Sequence, residues 1–255
     1  MRRLAPLVLL WLALVGAAAP QVPGLVPDVS AREVQIRTSF TGAQLLLFGA
    51  ILYPGGEVPA EPAEIAVVLR GPAEPLLIRE KEKIAGIWMN AQSHRFRSVP
   101  GFYAVASSAP LETLIDERTA AIYELGLDNL QLSPGPGHAA ATTRRFEAGL
   151  IERRRREGLY AAYPQGVEIS DRVLYRARIP IPSRVPVGTY TAETFLISDG
   201  RVLAVATREV EIGKTGFERF VALAAQRRPF FYGLAAIAVS LFLGWFAAFI
   251  FARRV

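Results

Sequence analysis

One uncharged run near the C-terminus restricts what this chain can be more than any other feature. Residues Phe230 to Phe251 include no Asp, Glu, Lys or Arg. At about 1.5 Å of rise per residue, a helix of this length reaches about 33 Å and matches the roughly 30 Å hydrocarbon core of a bilayer. An ionised side chain at mid-span costs about 2.5–3.5 kcal/mol, and this run avoids that cost. The sequence therefore predicts a transmembrane helix at 230–251 and a tail at 252–255.

The N-terminal residues predict export across a membrane. Arg2 and Arg3 precede an apolar stretch and the small residues Gly16 to Ala19, which is the order of a secretory signal peptide. We expect cleavage after residue 18. An uncleaved anchor is the alternative, although its apolar stretch is short for a membrane span.

Both readings of the N-terminus place the middle of the chain outside the cytoplasm and the C-terminus inside. The basic residues around the last helix favour the opposite orientation, but the exported chain is already crossing the membrane when that helix emerges. We therefore predict a single-pass membrane protein. Its extracytoplasmic domain would cover residues 19–213.

The middle of the chain predicts mainly β-structure. A Pro-x-Gly turn that leads into Tyr190 is typical of the tyrosine corner of immunoglobulin-like sandwiches, and Asp199-Gly200 suits a two-residue hairpin turn. We predict one immunoglobulin-like β-sandwich with a mostly helical insertion at about 100–165; the alternative is two small β domains flanking the helices. The expected strands are 33–40, 43–53, 64–70, 75–88, 172–181, 189–198 and 201–212, and residues 102–106 are a further candidate.

Helical spacing of apolar residues occurs in three further segments. Residues 117–127 and 143–159 predict two helices inside the insertion. Residues 214–228 predict a short amphipathic helix, which would lie either on the membrane surface or packed beneath the sandwich.

Composition and motifs argue against several classes of function. The chain has no Cys and two His, so thiolate chemistry is excluded and a metal site would need carboxylates that no local spacing supplies. It contains no nucleophile elbow, phosphate loop or dinucleotide fingerprint. The net charge is +6, and most of the basic residues are interleaved with Glu along the sequence. A nucleic-acid-binding protein would instead gather its basic residues on one face. We expect no enzyme activity, no cofactor, no metal and no nucleic acid.

The basic run 153–156 is bracketed by Glu152 and Glu157. Binding of an anionic lipid or an acidic partner is one interpretation. A solvated helix face is the interpretation we favour.

Two sets of residues are candidates for contact with a partner. Small residues recur every fourth position in the apolar helix, a spacing that permits close approach of another helix. Aromatic and polar residues between 88 and 103 are typical of recognition surfaces, although aromatics in a β domain also form its core. The first set is Ala236, Ser240, Gly244 and Ala248, and the second is Trp88, Asn90, His94, Phe102 and Tyr103.

Several short motifs resemble a family of alphaproteobacterial transmembrane proteins of unknown function. They are Thr38–Ala43, Leu47–Ala50, Arg70–Pro72, Gly86–Asn90, Val99–Tyr103, Val185–Tyr190 and Tyr232-Gly233. The resemblance covers essentially the whole mature chain and implies no catalytic residue. Members of the family tend to be encoded beside permeases of the sulfite-exporter type, which implies an accessory role in transport.

With the topology above, the resemblance implies a protein of the bacterial inner membrane, with its domain at 19–213 in the periplasm and its C-terminus in the cytoplasm. Together these observations predict a non-enzymatic accessory or interaction protein of a membrane permease. The alternative is an extracytoplasmic module that binds a small anionic ligand through Arg side chains.

Overall fold

The computed structural model describes residues 23–36, 42–56, 58–59, 63–137, 139–214 and 225–252. The expected signal peptide, most of the expected amphipathic segment 214–228 and His138 lie outside these residues. The helices are α1 (Leu111–Leu114), α2 (Glu117–Ile122), α3 (Ala140–Arg156) and α4 (Pro229–Ala252). The strands are β1 (Gly24–Val29), β2 (Glu33–Ile36), β3 (Ala43–Leu52), β4 (Glu64–Arg70), β5 (Ala73–Ile84), β6 (Ile87–Pro100), β7 (Tyr103–Ser107), β8 (Ser133–Pro134), β9 (Tyr160–Tyr163), β10 (Val167–Ser170), β11 (Leu174–Ile181), β12 (Gly188–Ser198) and β13 (Arg201–Lys214).

Two sheets enclose the main core. One has the strand order β1-β3-β11-β10, and the other has the order β2-β13-β12-β4-β7-β9. Residues alternate between exposed and buried along β11, as expected for a strand with one face on a core and the other on solvent. Both sheets combine strands from the two ends of the domain, and their buried residues form one cluster. The prediction of a mainly β protein with one C-terminal apolar helix is confirmed.

The last hairpin has the turn that the sequence predicts. Strands β12 and β13 pair antiparallel, with Ser198 opposite Arg201. Between them, Asp199 has φ 50° and Gly200 has φ 72°, the positive values that a two-residue hairpin turn of this type requires.

The segment 100–165, which we expect to be a mostly helical insertion, contains α1, α2 and α3 together with the short strands β7, β8 and β9. Within it, β7 lies in the six-stranded sheet between β4 and β9, and all five of its residues are buried. The other sheet packs against one face of β7. The segment carrying α1 and α2 covers the other, where the Tyr103 hydroxyl donates to the Glu124 carbonyl at 2.8 Å. The sequence offers 102–106 only as a further candidate strand, because a strand buried on both faces shows no alternation.

A long hairpin, β5–β6, forms a third sheet with β8. The hairpin reverses at Ala85 and Gly86, which have φ 49° and 85°. Helix α3 lies across one face of the hairpin, where Arg145 contacts Glu80 at 3.0 Å and Arg154 contacts Glu74 at 2.9 Å.

Helix α4 is long and apolar enough to cross a membrane. Its segment Pro229–Phe246 has a mean hydropathy of 1.7, and none of it is buried against the described part of the chain. A helix that is apolar on every face and covered by no protein is suited to lipid rather than to water.

Candidate binding surfaces

Three of the sequence motifs meet at one end of the sandwich, around Tyr190. The Tyr190 hydroxyl donates to the Pro186 carbonyl at 2.7 Å, which is the hydrogen bond of a tyrosine corner. Beside it, the Gly71 amide donates to the Phe102 carbonyl at 2.8 Å and the Gly101 amide donates to the Pro72 carbonyl at 2.9 Å. These motifs therefore stabilise the fold and present no open site.

Close packing explains the glycine at position 71. A Cβ there would lie 2.9 Å from the Tyr190 ring and 3.0 Å from the Phe102 Cβ. Since both aromatic side chains are buried, neither can move away without disturbing the core. The Gly-Pro pair after β4 is thus a requirement of packing.

The five-residue surface expected between 88 and 103 does not exist as one surface. His94, Phe102 and Tyr103 are buried in the core, whereas Trp88 is 67% exposed and Asn90 is exposed. Assigning His94, Phe102 and Tyr103 to a binding surface is therefore wrong.

Each of these three buried residues has a partner in the core. His94 stacks on Phe146 of α3, with ring centroids 5.5 Å apart, because α3 covers that face of β6. Phe102 packs against Tyr190 at 5.9 Å. Burial of Tyr103 raises the pKa of its hydroxyl to about 12. These aromatic residues are therefore part of the core of the domain.

The tip of the β5–β6 hairpin exposes a cluster of large apolar side chains. Ile87 is 69% exposed, and Ile84 and Met89 are about half exposed. Trp88 lies opposite Lys83 across the hairpin. We call the residues Ile84, Ile87, Trp88 and Met89 the hairpin tip. Sequence reasoning selected Trp88 but missed Ile84. The signal is the Ala-Gly pair between Ile84 and Ile87, which identifies these two residues as flanking a turn.

A groove of about 550 Å³ lies between β5 and α3. Its apolar wall includes Leu76, Ile78 and Leu150, while Gly149 leaves the helix side open. The charged side chains lining it are Arg79, Lys81, Arg153, Arg154 and Glu157. Arg153 and Arg154 pair with Glu157 and Glu74, whereas Arg79 and Lys81 have no ion pair among the described residues. These two cations make the groove basic, and we call it the basic groove.

The basic run 153–156 is mostly a solvated helix face, as the sequence predicts. The side chains of Arg153 and Arg156 are each 77% exposed and pair with Glu157 and Glu152 on the same helix at 2.9 Å. Exposed pairs of this kind contribute only a few tenths of a kcal/mol. Arg154 is the exception, because its side chain is 12% exposed and reaches Glu74 on β5.

The small residues of α4 line up as expected, but their contact with another helix stays a prediction. The Ser240 hydroxyl donates to the Ala236 carbonyl at 2.9 Å, so it is satisfied within its own helix. A Cβ at Gly244 would meet no atom within 4 Å. The side chain of Ala248 lies outside the described residues.

A second cavity, of about 400 Å³, lies beside α1 and α2. Its carboxylates include Asp116, which caps α2 by accepting a hydrogen bond from the Thr119 amide at 2.8 Å. This bond lowers the pKa of Asp116 and gives the residue a structural role. Within the described residues, no group of three or more His, Cys, Asp or Glu side chains is arranged to hold a metal ion.

The chain matches a model of a known protein family over most of its length. Residues 24–253 match the family model described as "Putative transmembrane protein (Alph_Pro_TM)", whereas no curated protein matches the chain. The match includes both the β domain and α4, which are the two parts on which the sequence resemblance depends. The chain therefore belongs to this family of alphaproteobacterial transmembrane proteins.

Proposed function

We propose that this protein is a single-pass, non-enzymatic accessory of an integral-membrane permease, with its β domain in the periplasm. The hairpin tip carries the proposal. It presents four large apolar side chains to solvent on a domain that is attached to a candidate membrane helix. Contiguous exposed apolar residues on a soluble domain mark an interaction site.

The chemistry of the tip favours a protein partner. Trp, Met and Ile exclude water well when buried, and Trp residues are enriched among those that dominate the energy of protein interfaces. Lys81 and Lys83 border the apolar residues and favour a partner with acidic groups around an apolar pocket.

Membrane attachment strengthens such an interaction. A partner in the same bilayer meets the tip at an effective concentration far above its bulk value, so a small contact is enough. The stripe of small residues in α4 supplies a second contact with the same partner. Together they describe an accessory protein that touches its permease both within and outside the membrane.

The strand order supports the proposal that the domain is an immunoglobulin-like module. The sheet β1-β3-β11-β10 and the strands β13-β12-β4 of the second sheet follow the two-sheet order of that fold. Strand β1 pairs antiparallel with β3, whereas β2 pairs parallel with β13, so the N-terminal segment contributes to both sheets. The hydrogen bond of Tyr190 supports the same assignment. Such modules commonly serve recognition rather than catalysis.

The test is co-purification from native membranes, using the full chain with a C-terminal affinity tag. A permease is expected in stoichiometric amount with the wild type, and the double variant Ile87→Ser, Trp88→Ser is expected to lose it. Leu174→Ser is the matched control, because Leu174 is also an exposed apolar residue, 54% accessible, but lies on β11. Recovery of the permease by the double variant at the wild-type level would refute the role of the tip. Absence of any membrane protein from the wild-type preparation would refute the accessory function.

A further inference from the structure

The residues that line the basic groove show where it runs. Leu76, Leu77, Ile78 and Arg79 are consecutive and all four line it. Side chains of consecutive strand residues point to opposite faces of a sheet. A groove lined by four in succession must therefore follow the edge of the strand, where its backbone is accessible.

Strand β5 is the terminal strand of its sheet. The strand order is β5-β6-β8, and in the described part of the chain no strand pairs with the outer side of β5. That edge therefore presents backbone N–H and C=O groups without strand partners. Pro75 lacks an N–H group, so the edge available for pairing begins at Leu76.

Helix α3 forms the opposite wall of the groove. Gly149 lies on this wall, and a Cβ built there would meet no atom within 4 Å. A glycine inside a helix costs about 1 kcal/mol relative to alanine, and here its effect is to leave the groove unfilled. An edge strand facing a helix across an open groove is the geometry in which some domains bind an extended peptide by adding it to their sheet.

The charged side chains of the basic groove determine which extended peptides it can bind. Arg79 and Lys81 have no carboxylate within ion-pair distance among the described residues and line the groove. On the helix side, Arg153 and Arg154 already pair with Glu157 and Glu74 at 2.9 Å. Only Glu157 contributes negative charge to the lining. A small anion would satisfy the cations but would leave the backbone edge and the apolar wall unused. An extended acidic segment can contact the cations, the backbone edge and the apolar wall together.

We propose that the basic groove binds an extended segment of a partner protein, in which acidic and apolar residues alternate, by adding it as a strand to the edge of β5. The main chain of the segment pairs with Leu76 to Lys81. Its apolar side chains pack towards Leu150, and its carboxylates, on the opposite face of the added strand, meet Arg79 and Lys81. This site is separate from the hairpin tip and does not depend on the identity of the permease.

The test measures binding of a fluorescent peptide of alternating Glu and Val to the full chain in detergent micelles, by fluorescence anisotropy. Gly149→Leu fills the groove while removing an unfavourable helical glycine, so a loss of binding cannot come from unfolding. Gly149→Ala is the matched control, since it improves the helix equally without filling the groove. We expect Gly149→Leu to weaken binding at least about tenfold and Gly149→Ala to leave it unchanged.

Two further probes separate strand addition from simple charge attraction. A peptide of the same sequence with alternate backbone amides N-methylated cannot pair along one edge, and we expect it to bind at least about tenfold more weakly. The double variant Arg79→Glu, Lys81→Glu should also weaken binding, whereas Arg184→Glu, on an exposed loop, should not.

Four results would overturn the proposal. They are the absence of binding at about 1 mM peptide, equal binding of a Lys-Val peptide, unchanged binding of the N-methylated peptide, and full displacement of the peptide by inorganic phosphate. The last two would reassign the groove to small anions.

Discussion

Replacing Tyr190 with Phe tests whether the tyrosine corner stabilises this domain. Phe keeps the ring and its packing against Phe102 but removes the hydroxyl that donates to the Pro186 carbonyl at 2.7 Å. A net hydrogen bond contributes about 1 kcal/mol, and leaving the partner partly unsatisfied adds to this, so we expect a loss of about 1–2 kcal/mol. For a domain of this size, the midpoint of thermal unfolding should fall by about 2–8 °C.

Thermal unfolding of the full chain in detergent, followed by circular dichroism of the β signal, measures this loss. Tyr53→Phe is the control, because its hydroxyl also donates to a backbone carbonyl, that of Arg172 at 3.1 Å, but at an exposed position. Solvent can replace that bond, so the control should cost less than about 0.5 kcal/mol. Equal midpoints for the two variants would refute the reasoning.

Three other predictions concern packing, pH and the apolar helix. Gly71→Ala should cost about 1–3 kcal/mol in the same unfolding assay, because its Cβ would meet the Tyr190 ring at 2.9 Å. Gly213→Ala, whose Cβ would meet no atom within 4 Å, should be near neutral, and equal costs would contradict this. The pKa of Tyr103 is about 12 in the folded protein and about 10 in the unfolded chain. Its contribution to the free energy of unfolding should therefore be fully present below about pH 10 and be lost as the pH rises towards about 12. A denaturant midpoint that stays constant from about pH 10 to 12 would contradict this. The double variant Ser240→Leu, Gly244→Leu should abolish detergent-resistant complexes on native gels; if the complexes persist, the small-residue stripe has no role.

Strands with one exposed face were predictable from the sequence. The alternation around β11 and the Asp199-Gly200 turn between β12 and β13 gave correct elements, because one face of each meets water and the turn has a specific backbone requirement. β7 was harder to predict. Its residues Tyr103 to Ser107 are buried on both faces, so their pattern cannot distinguish a central strand from other buried structure.

Helix ends depended on local geometry that composition does not reveal. The helix expected at 117–127 ends at Ile122, because Glu124 and Gly126 adopt φ of 52° and 94°. The Glu124 carbonyl then accepts a hydrogen bond from the Tyr103 hydroxyl. That turn is set by a tertiary contact.

The candidate sites were only partly predictable, for a related reason. Trp88 lies beside a turn, and turn residues project from the surface. His94 is six residues further along the same strand and is covered by α3, a contact between segments distant in sequence. The basic groove has no sequence signature either, since its residues come from β5 and α3 and meet only through the fold.

Cysteine labelling tests most directly whether the β domain lies in the periplasm and the C-terminus in the cytoplasm. The chain contains no Cys, so single variants Ser183→Cys in the β domain and Val255→Cys at the C-terminus each provide one reactive site without background. In intact cells with a permeabilised outer membrane, a maleimide that cannot cross the inner membrane should label the Ser183 variant at once. It should label the Val255 variant only after the inner membrane is opened. Labelling of Val255→Cys in intact cells, or protection of Ser183→Cys, would contradict a periplasmic domain held by one C-terminal membrane helix.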